Sequence, residues 1–187
     1  LQKFWSTSSI IELKFMKAKT PSDSRTIMTT IVLTNETNAY NNMFGGDLLS
    51  LMDRACAIAA QRHAEAKVVT ASVNHVSFST PIPLGSTVEA IAKVSRAFGS
   101  SMEVFVDIWV DDAINHTKTK TNEGIYTFVA LDEFMKPKKI PDLVPETEEE
   151  IVRYNSALHR RELSLLLSGR ITPSEAVELR KMFTLDN

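Results

Sequence analysis

Apolar residues along this chain fall into one stretch with helical spacing and several that alternate. In residues 45–65, Leu48, Met52, Cys56, Ala59, Ala60 and His63 recur at separations of three and four, which predicts an amphipathic helix. Upstream, residues 25–33 are dominated by β-branched side chains and predict a strand. Downstream the period changes to two. Residues 67–78 read as a strand, and residues 87–97 place Val88, Ala90, Ala92 and Val94 on one face. Met102, Val104, Val106, Ile108 and Val110 alternate with Glu103, Asp107 and Asp111, and Tyr126, Phe128 and Ala130 mark a further strand. "TPIPLGS" (residues 80–86) and "FGSS" (residues 98–101) supply turns. A strand, a long helix, then consecutive strands with short turns predict an α+β domain, an antiparallel sheet with the helix over one face.

The flanks are less regular. Residues 1–24 show no clean period, and "TPSDS" (residues 20–24) reads as a loop. "MKPKKIPDLVP" (residues 135–145) reads as a linker. Two polar helical segments follow, at about residues 146–168 and 173–183, with Gly169 ending the first and Thr172 capping the second. The expected organisation is an N-terminal segment (1–24), a folded domain (25–135), and a linker with a C-terminal helical extension (136–187).

Composition narrows the function classes. The chain has 187 residues and a formal net charge of -2, so no strong positive field points to nucleic acid. Cys56 is the sole cysteine, which excludes an internal disulfide and any multi-cysteine metal site. No apolar run is long enough for a membrane span, and the first residues lack the apolar core of a secretory signal. A reduced, cytoplasmic setting is expected.

The candidate chemistry sits at "NAYNNMFGGDLLSLMDRACAIAA", residues 38–60. At 100° per residue, Asp53 falls just beyond the flank of the apolar stripe, where a carboxylate needs a partner or a proton. It is either a solvated or ion-paired residue or a general base. Gly45 and Gly46 either let the helix start crowd a sheet or offer free N–H groups to a carbonyl oxygen as it becomes an oxyanion. Asn38, Asn41 and Asn42 are turn formers, one of which is placed to hold a water or a carbonyl. His63 lies in an apolar stripe, which is ordinarily a core position.

Together these residues resemble the hotdog-fold acyl-CoA thioesterases. The family motif runs approximately N-x-x-G-[ND]-x-[FH]-G-G and then [MI]-[DE] on a helix; this chain has "NAYNNMFGG" followed by "LLSLMD". "VVTASVNHVSFSTPIPLGSTVEAIAKV" and "FGSSMEVFVDIWV" resemble the strands and turns that follow. Two departures stand out. Asn41 replaces the motif's first glycine, at a position where Asn tolerates a left-handed turn, and Ser86 replaces an acid.

The resemblance implies a hotdog fold, an antiparallel sheet wrapped around one long central helix. It implies a homodimer as the minimum, with three dimers forming a hexamer, and hydrolysis of acyl-CoA to free acid and CoA. The implied catalytic residues are Asn38 of one subunit, Asp53 of the other as general base or nucleophile, and the Gly46 N–H as oxyanion donor. The implied substrate contacts are Gly45, Asn74, Phe78, Gly99, Ser100 and Ser101; Asn74 is either a polar group near the reaction centre or a partner in a cross-strand hydrogen bond. By charge, Arg96 and the basic run at Lys136 to Lys139 either meet the CoA phosphates or form a solvated face. No metal and no cofactor is implied, CoA entering only as part of substrate and product. Two alternatives remain open: a hotdog hydratase or dehydratase built on His63 or His75, and a non-catalytic acyl-thioester sensor.

Overall fold

The computed structural model describes residues 16–112 and 115–184. Among these, five antiparallel strands form one sheet: β1 (Thr26–Ile31), β2 (Lys67–Ser77), β3 (Thr87–Phe98), β4 (Ser101–Asp112) and β5 (Thr117–Leu131), in the order β1-β3-β4-β5-β2. A first helical turn, α1 (Pro21–Ser24), stands where the sequence suggested a loop, and the long helix α2 spans Gly45–Ala64.

The alternating pattern translates directly into faces. Val88, Ala90, Ala92, Val94, Met102, Val104, Val106, Ile108, Tyr126, Phe128 and Ala130 are buried under α2. The helix meets them with Leu48, Leu51, Met52, Ala55, Cys56, Ala59 and Ala60. Small residues on the helix allow a close approach, and Gly124 extends it: a Cβ there would lie 3.0 Å from the Tyr126 ring and 3.1 Å from Met52 Sδ. The helix ends at Glu65, whose left-handed backbone (φ 49) returns its N–H to the Gln61 carbonyl at 2.9 Å.

Consecutive strands do not all pair. β2 joins β5 at the far edge, so residues 78–86 cross back to β3 beside β1. Periodicity fixes which face of a strand is buried and leaves its neighbours open. The crossing segment is tied to the head of α2, with Met43 N–H donating to Ile82 O at 2.7 Å and Leu84 N–H to Asn41 O at 2.9 Å.

The flanks pack back onto this core. Ile140 and Leu143 of the linker are buried, and Lys19 pairs with the backbone of Asp142 and Val144, both at 2.9 Å. Helix α3 (Glu148–Leu167) starts in a capping box between Thr147 and Glu150. It stops where Gly169 N–H bonds Leu166 O and Arg170 N–H bonds Leu165 O, the paired closure that a positive-φ glycine permits. Helix α4 (Val177–Thr184) begins later than the sequence suggested. The Glu175 carboxylate takes the Thr172 N–H at 2.7 Å, so Thr172 closes a turn before the helix and does not cap it.

α3 lies on the sheet face opposite α2. Arg160 forms a two-pronged bond to Glu103 at 2.9 and 2.8 Å, and Arg153 does the same to Asp107 at 2.9 and 3.1 Å. Lys93 meets Glu150 at 2.8 Å. The extension therefore packs on its own sheet.

Candidate active site

The loop before α2 is built by Asn38. Its side-chain oxygen accepts the N–H groups of Tyr40 at 2.9 Å and Asn42 at 3.3 Å, and its own N–H donates to Asn42 O at 2.9 Å. Between them Asn41 takes a left-handed conformation at φ 57, the backbone state that this departure from the motif requires and that Asn tolerates. Asn38 then borders a cavity of about 300 Å³ with Gly45, Leu48, Phe78, Pro81, Ile82 and Asn122. Gly45 and Gly46 occupy the first two positions of α2, where N–H groups have no carbonyl one turn behind them. A Cβ on Gly45 would touch the Phe78 ring at 3.4 Å, so the glycine keeps this corner open.

Asp53 lies two turns further along, partly buried on the flank of the stripe. Thr70 Oγ1 of β2 donates to Asp53 Oδ1 at 2.9 Å, and among the described residues nothing bonds Oδ2. Among the described residues no Lys or Arg pairs with this carboxylate. Below it, burial pushes the Cys56 thiol well up, and the Asp53 charge adds to the effect. Tyr126 is raised by burial first and the same charges second, and its hydroxyl donates to Leu49 O at 3.3 Å. Both groups are neutral neighbours of the carboxylate.

Thr70 is the residue that sequence reasoning missed. For Asn74 the structure has the second of the two readings, a cross-strand hydrogen bond: Asn74 Nδ2 donates to Thr127 Oγ1 at 2.7 Å, and Asn74 Oδ1 accepts from Ser72 at 2.7 Å. It borders a second groove, of about 380 Å³, with Ser100, Ser101, Thr127 and Arg161. Gly99 turns at φ 74 beside it, its carbonyl held by Ile140 N–H at 2.8 Å. The proposed substrate contacts thus divide into two places: Gly45 and Phe78 at the head of α2, and Asn74, Ser100 and Ser101 at the groove. Arg96 stacks on Tyr154 at 4.1 Å and donates to its backbone at 2.9 Å, so α3 takes up that cation.

The histidines are placed elsewhere. His63 is buried with Nε2 against Pro141 O at 2.9 Å; since a carbonyl can only accept, Nε2 carries the proton. His75 is exposed on β2. Among the described residues, no group of three or more His, Cys, Asp or Glu side chains is arranged to hold a metal. None of the described helices is long and apolar enough to cross a membrane.

A long helix cradled by an antiparallel sheet, with an Asn turn and a Gly-Gly pair at its head, narrows the family. The model of the thioesterase superfamily matches residues 40–114. The chain is 38% identical over 138 residues to an uncharacterized acyl-CoA thioester hydrolase, YkhA, of Bacillus subtilis, covering 74% of this chain and 80% of that protein. The chain belongs to the hotdog-fold acyl-CoA thioesterase family. The acyl-CoA hydrolase of Staphylococcus aureus, solved with butyryl-CoA and CoA, superposes with a TM-score of 0.77 at 38% identity, over 88% of this chain and 99% of that one. That enzyme has also been solved with an aspartate, an asparagine or a threonine replaced by alanine. A hexameric acyl-CoA thioesterase superposes with a TM-score of 0.76 at 37% identity, over 79% of this chain and 94% of that one.

Gly46 and Asp53 are seven residues apart in α2, which puts them on one face but separates them by about 10 Å along the axis. Groups acting on one thioester carbonyl must each come within about 3 Å of it.

Proposed function

We propose that this protein hydrolyses acyl-CoA thioesters to the free acid and CoA, at sites shared between two chains. The observation that carries the reading is the Asp53 carboxylate. Among the described residues it has no cationic partner; Thr70 fixes one oxygen at 2.9 Å and the other is left open. That is the state a general base or a carboxylate nucleophile needs.

The chemistry follows from the groups present. A thioester carbonyl bound at the head of α2 has the Gly46 N–H, at the positive end of the helix dipole, facing its oxygen as charge develops there. Asp53 takes a proton from water as the water attacks, or attacks directly to give an anhydride that water then opens. The thiolate leaves without strong acid assistance. Asn38, with its carbonyl oxygen committed to the loop, keeps its amide N–H groups for the substrate or the water.

The axial gap between Gly46 and Asp53 supports a two-chain site. β2 is an edge strand with an unpaired side and exposed Val69 and Val73, and a second β2 running antiparallel satisfies both. Such pairing sets the head of one α2 beside the middle of the other. The hexameric relative supports a trimer of these dimers. No observation favours a hydratase: His63 is held by a backbone carbonyl, and His75 is exposed on β2.

The test is a panel of acyl-CoA thioesters across chain lengths, run on the wild type and Asp53→Ala. Turnover by the wild type and its loss in the variant are expected. Equal activity in both removes the assignment.

A further inference from the structure

The face of β5 that meets α2 carries one amide in an apolar row. Gly124, Tyr126, Phe128 and Ala130 alternate inward, and one step earlier on the same face stands Asn122, 3% exposed. The β4–β5 ladder shifts register between Ile108 and Trp109, which leaves Thr121 without an opposite residue, and Thr121 and Asn122 are both buried. The Thr121 hydroxyl is satisfied, donating to Ile108 O at 3.3 Å. Asn122 is half satisfied. Its Nδ2 donates to Ser77 O at 3.3 Å, and since a carbonyl only accepts, the amide is fixed with Oδ1 on its other side. Among the described residues nothing bonds that buried Oδ1. A buried acceptor left unpaired is costly, which calls for a donor from outside the chain.

Asn122 borders the cavity of about 300 Å³ at the head of α2, beside Gly45 and Asn38. The lining is graded: Phe78, Thr80 and Pro81 are exposed, whereas Met43, Leu48, Ile82 and Asn122 are buried. A thioester with its carbonyl at the Gly46 N–H sends one arm outward, because the charged nucleotide of CoA is not accommodated among buried apolar side chains. The arm that ends inside the protein is the acyl chain. A small cavity with these walls suits a short one. Asn38 Oδ1 is committed to its own loop, so Asn122 Oδ1 is the buried acceptor left to meet a donor on that chain.

We propose that this cavity takes a short acyl group carrying a hydroxyl close to the thioester, and that Asn122 accepts a hydrogen bond from that hydroxyl. Asn122 is then a specificity-determining residue. This rests on the hydrolase reading above and adds to it which acyl groups are preferred.

The experiment compares butyryl-CoA with 2-hydroxybutyryl-CoA and 3-hydroxybutyryl-CoA, each enantiomer separately. For the wild type, kcat/KM for at least one hydroxylated thioester should exceed that for the plain one by about tenfold or more, because the plain chain leaves the amide oxygen unpaired. Asn122→Leu, of similar size and without an acceptor, should bring the ratio to about one. Should that variant not fold, Asn122→Ala takes its place in the same comparison. Equal kcat/KM for plain and hydroxylated thioesters in the wild type overturns the proposal and leaves Oδ1 to an ordered water. A preference that survives in the variant also overturns it. With all substrates slowed alike, that outcome assigns Asn122 to the fold or to the amide N–H in the thiol arm of every CoA thioester. Turnover of longer acyl-CoA with none of the butyryl compounds overturns it as well. If the wild type hydrolyses no acyl-CoA at all, the hydrolase reading fails and calorimetry judges the cavity. Tighter binding of a hydroxylated thioester than of butyryl-CoA, lost in Asn122→Leu, sustains the assignment; equal binding of the two, or none, overturns it.

Discussion

Thr70 on β2 and Asp53 on α2 are joined by one hydrogen bond of 2.9 Å, hydroxyl to carboxylate, between elements that are separated by a tight turn in the chain. The bond aims a carboxylate that no cation among the described residues holds. Removing the acid should remove the chemistry, and removing the hydroxyl should only misaim it. Asp53→Ala is expected to lower kcat by at least about two orders of magnitude. Thr70→Val should cost about tenfold, the worth of one hydrogen bond to a charged group, and Thr70→Ser should retain most activity. Steady-state kinetics on one acyl-CoA checks all three.

The separation of Gly46 from Asp53 along α2 gives a sharper test. If each site draws its Asn38 loop and its Asp53 from different chains, two dead variants should rescue each other. Co-assembled Asn38→Ala and Asp53→Ala chains place both defects in one site of a dimer and leave the other intact. Random mixing of equal amounts makes about half of all dimers mixed, so about a quarter of the wild-type sites should return. Activity that stays at the level of the separate variants would show that each site belongs to a single chain.

How much of this was legible beforehand depends on the kind of interaction. The burial of Val88, Ala90, Ala92 and Val94 follows from alternation, because a strand's two faces are fixed by its geometry. The left-handed Asn41 was legible because few residue types tolerate that backbone. Thr70 was not. Its role comes from meeting Asp53 across a strand bearing two register shifts, and no local pattern sets that meeting. The groove at Arg161 needed the position of α3. The helix is charged on several sides, and the sheet acids Glu103 and Asp107 decide which side faces inward. The partner of β2 was hidden for the same reason, since pairing is a property of two segments.

His63 predicts a pH dependence of stability. Burial lowers its pKa below the ordinary value of about 6.5, against the opposing pull of the Pro141 carbonyl. Below that ordinary value the unfolded chain binds a proton that the folded chain refuses, so stability falls as pH drops from about 6.5 toward the folded value. Above it the contribution is flat. His63→Gln keeps a donor for Pro141 and cannot take the proton. Urea midpoints measured at pH 7.5 and pH 5.5 should therefore fall further for the wild type than for the variant, with a limiting slope of about 1.4 kcal/mol per pH unit.

The last prediction concerns what α3 does for the fold. Glu103 is 2% exposed and depends on Arg160 for its charge balance. Losing Arg160 alone leaves a buried carboxylate with only Ser95 for company, and Arg160→Met should cost about 3 kcal/mol in equilibrium unfolding. Replacing both, Arg160→Met with Glu103→Met, removes the charge along with its partner. That double variant should recover most of the loss, because a desolvated ion pair adds little over well-packed apolar groups. The contrast separates two views of the seam. If the pair is a net source of stability, the double variant remains as weak as the single one. If it sets orientation, choosing which side of α3 meets β3 and β4, the double variant is stable but α3 is free to shift. Amide exchange along α3 should then quicken in a protein that still unfolds cooperatively.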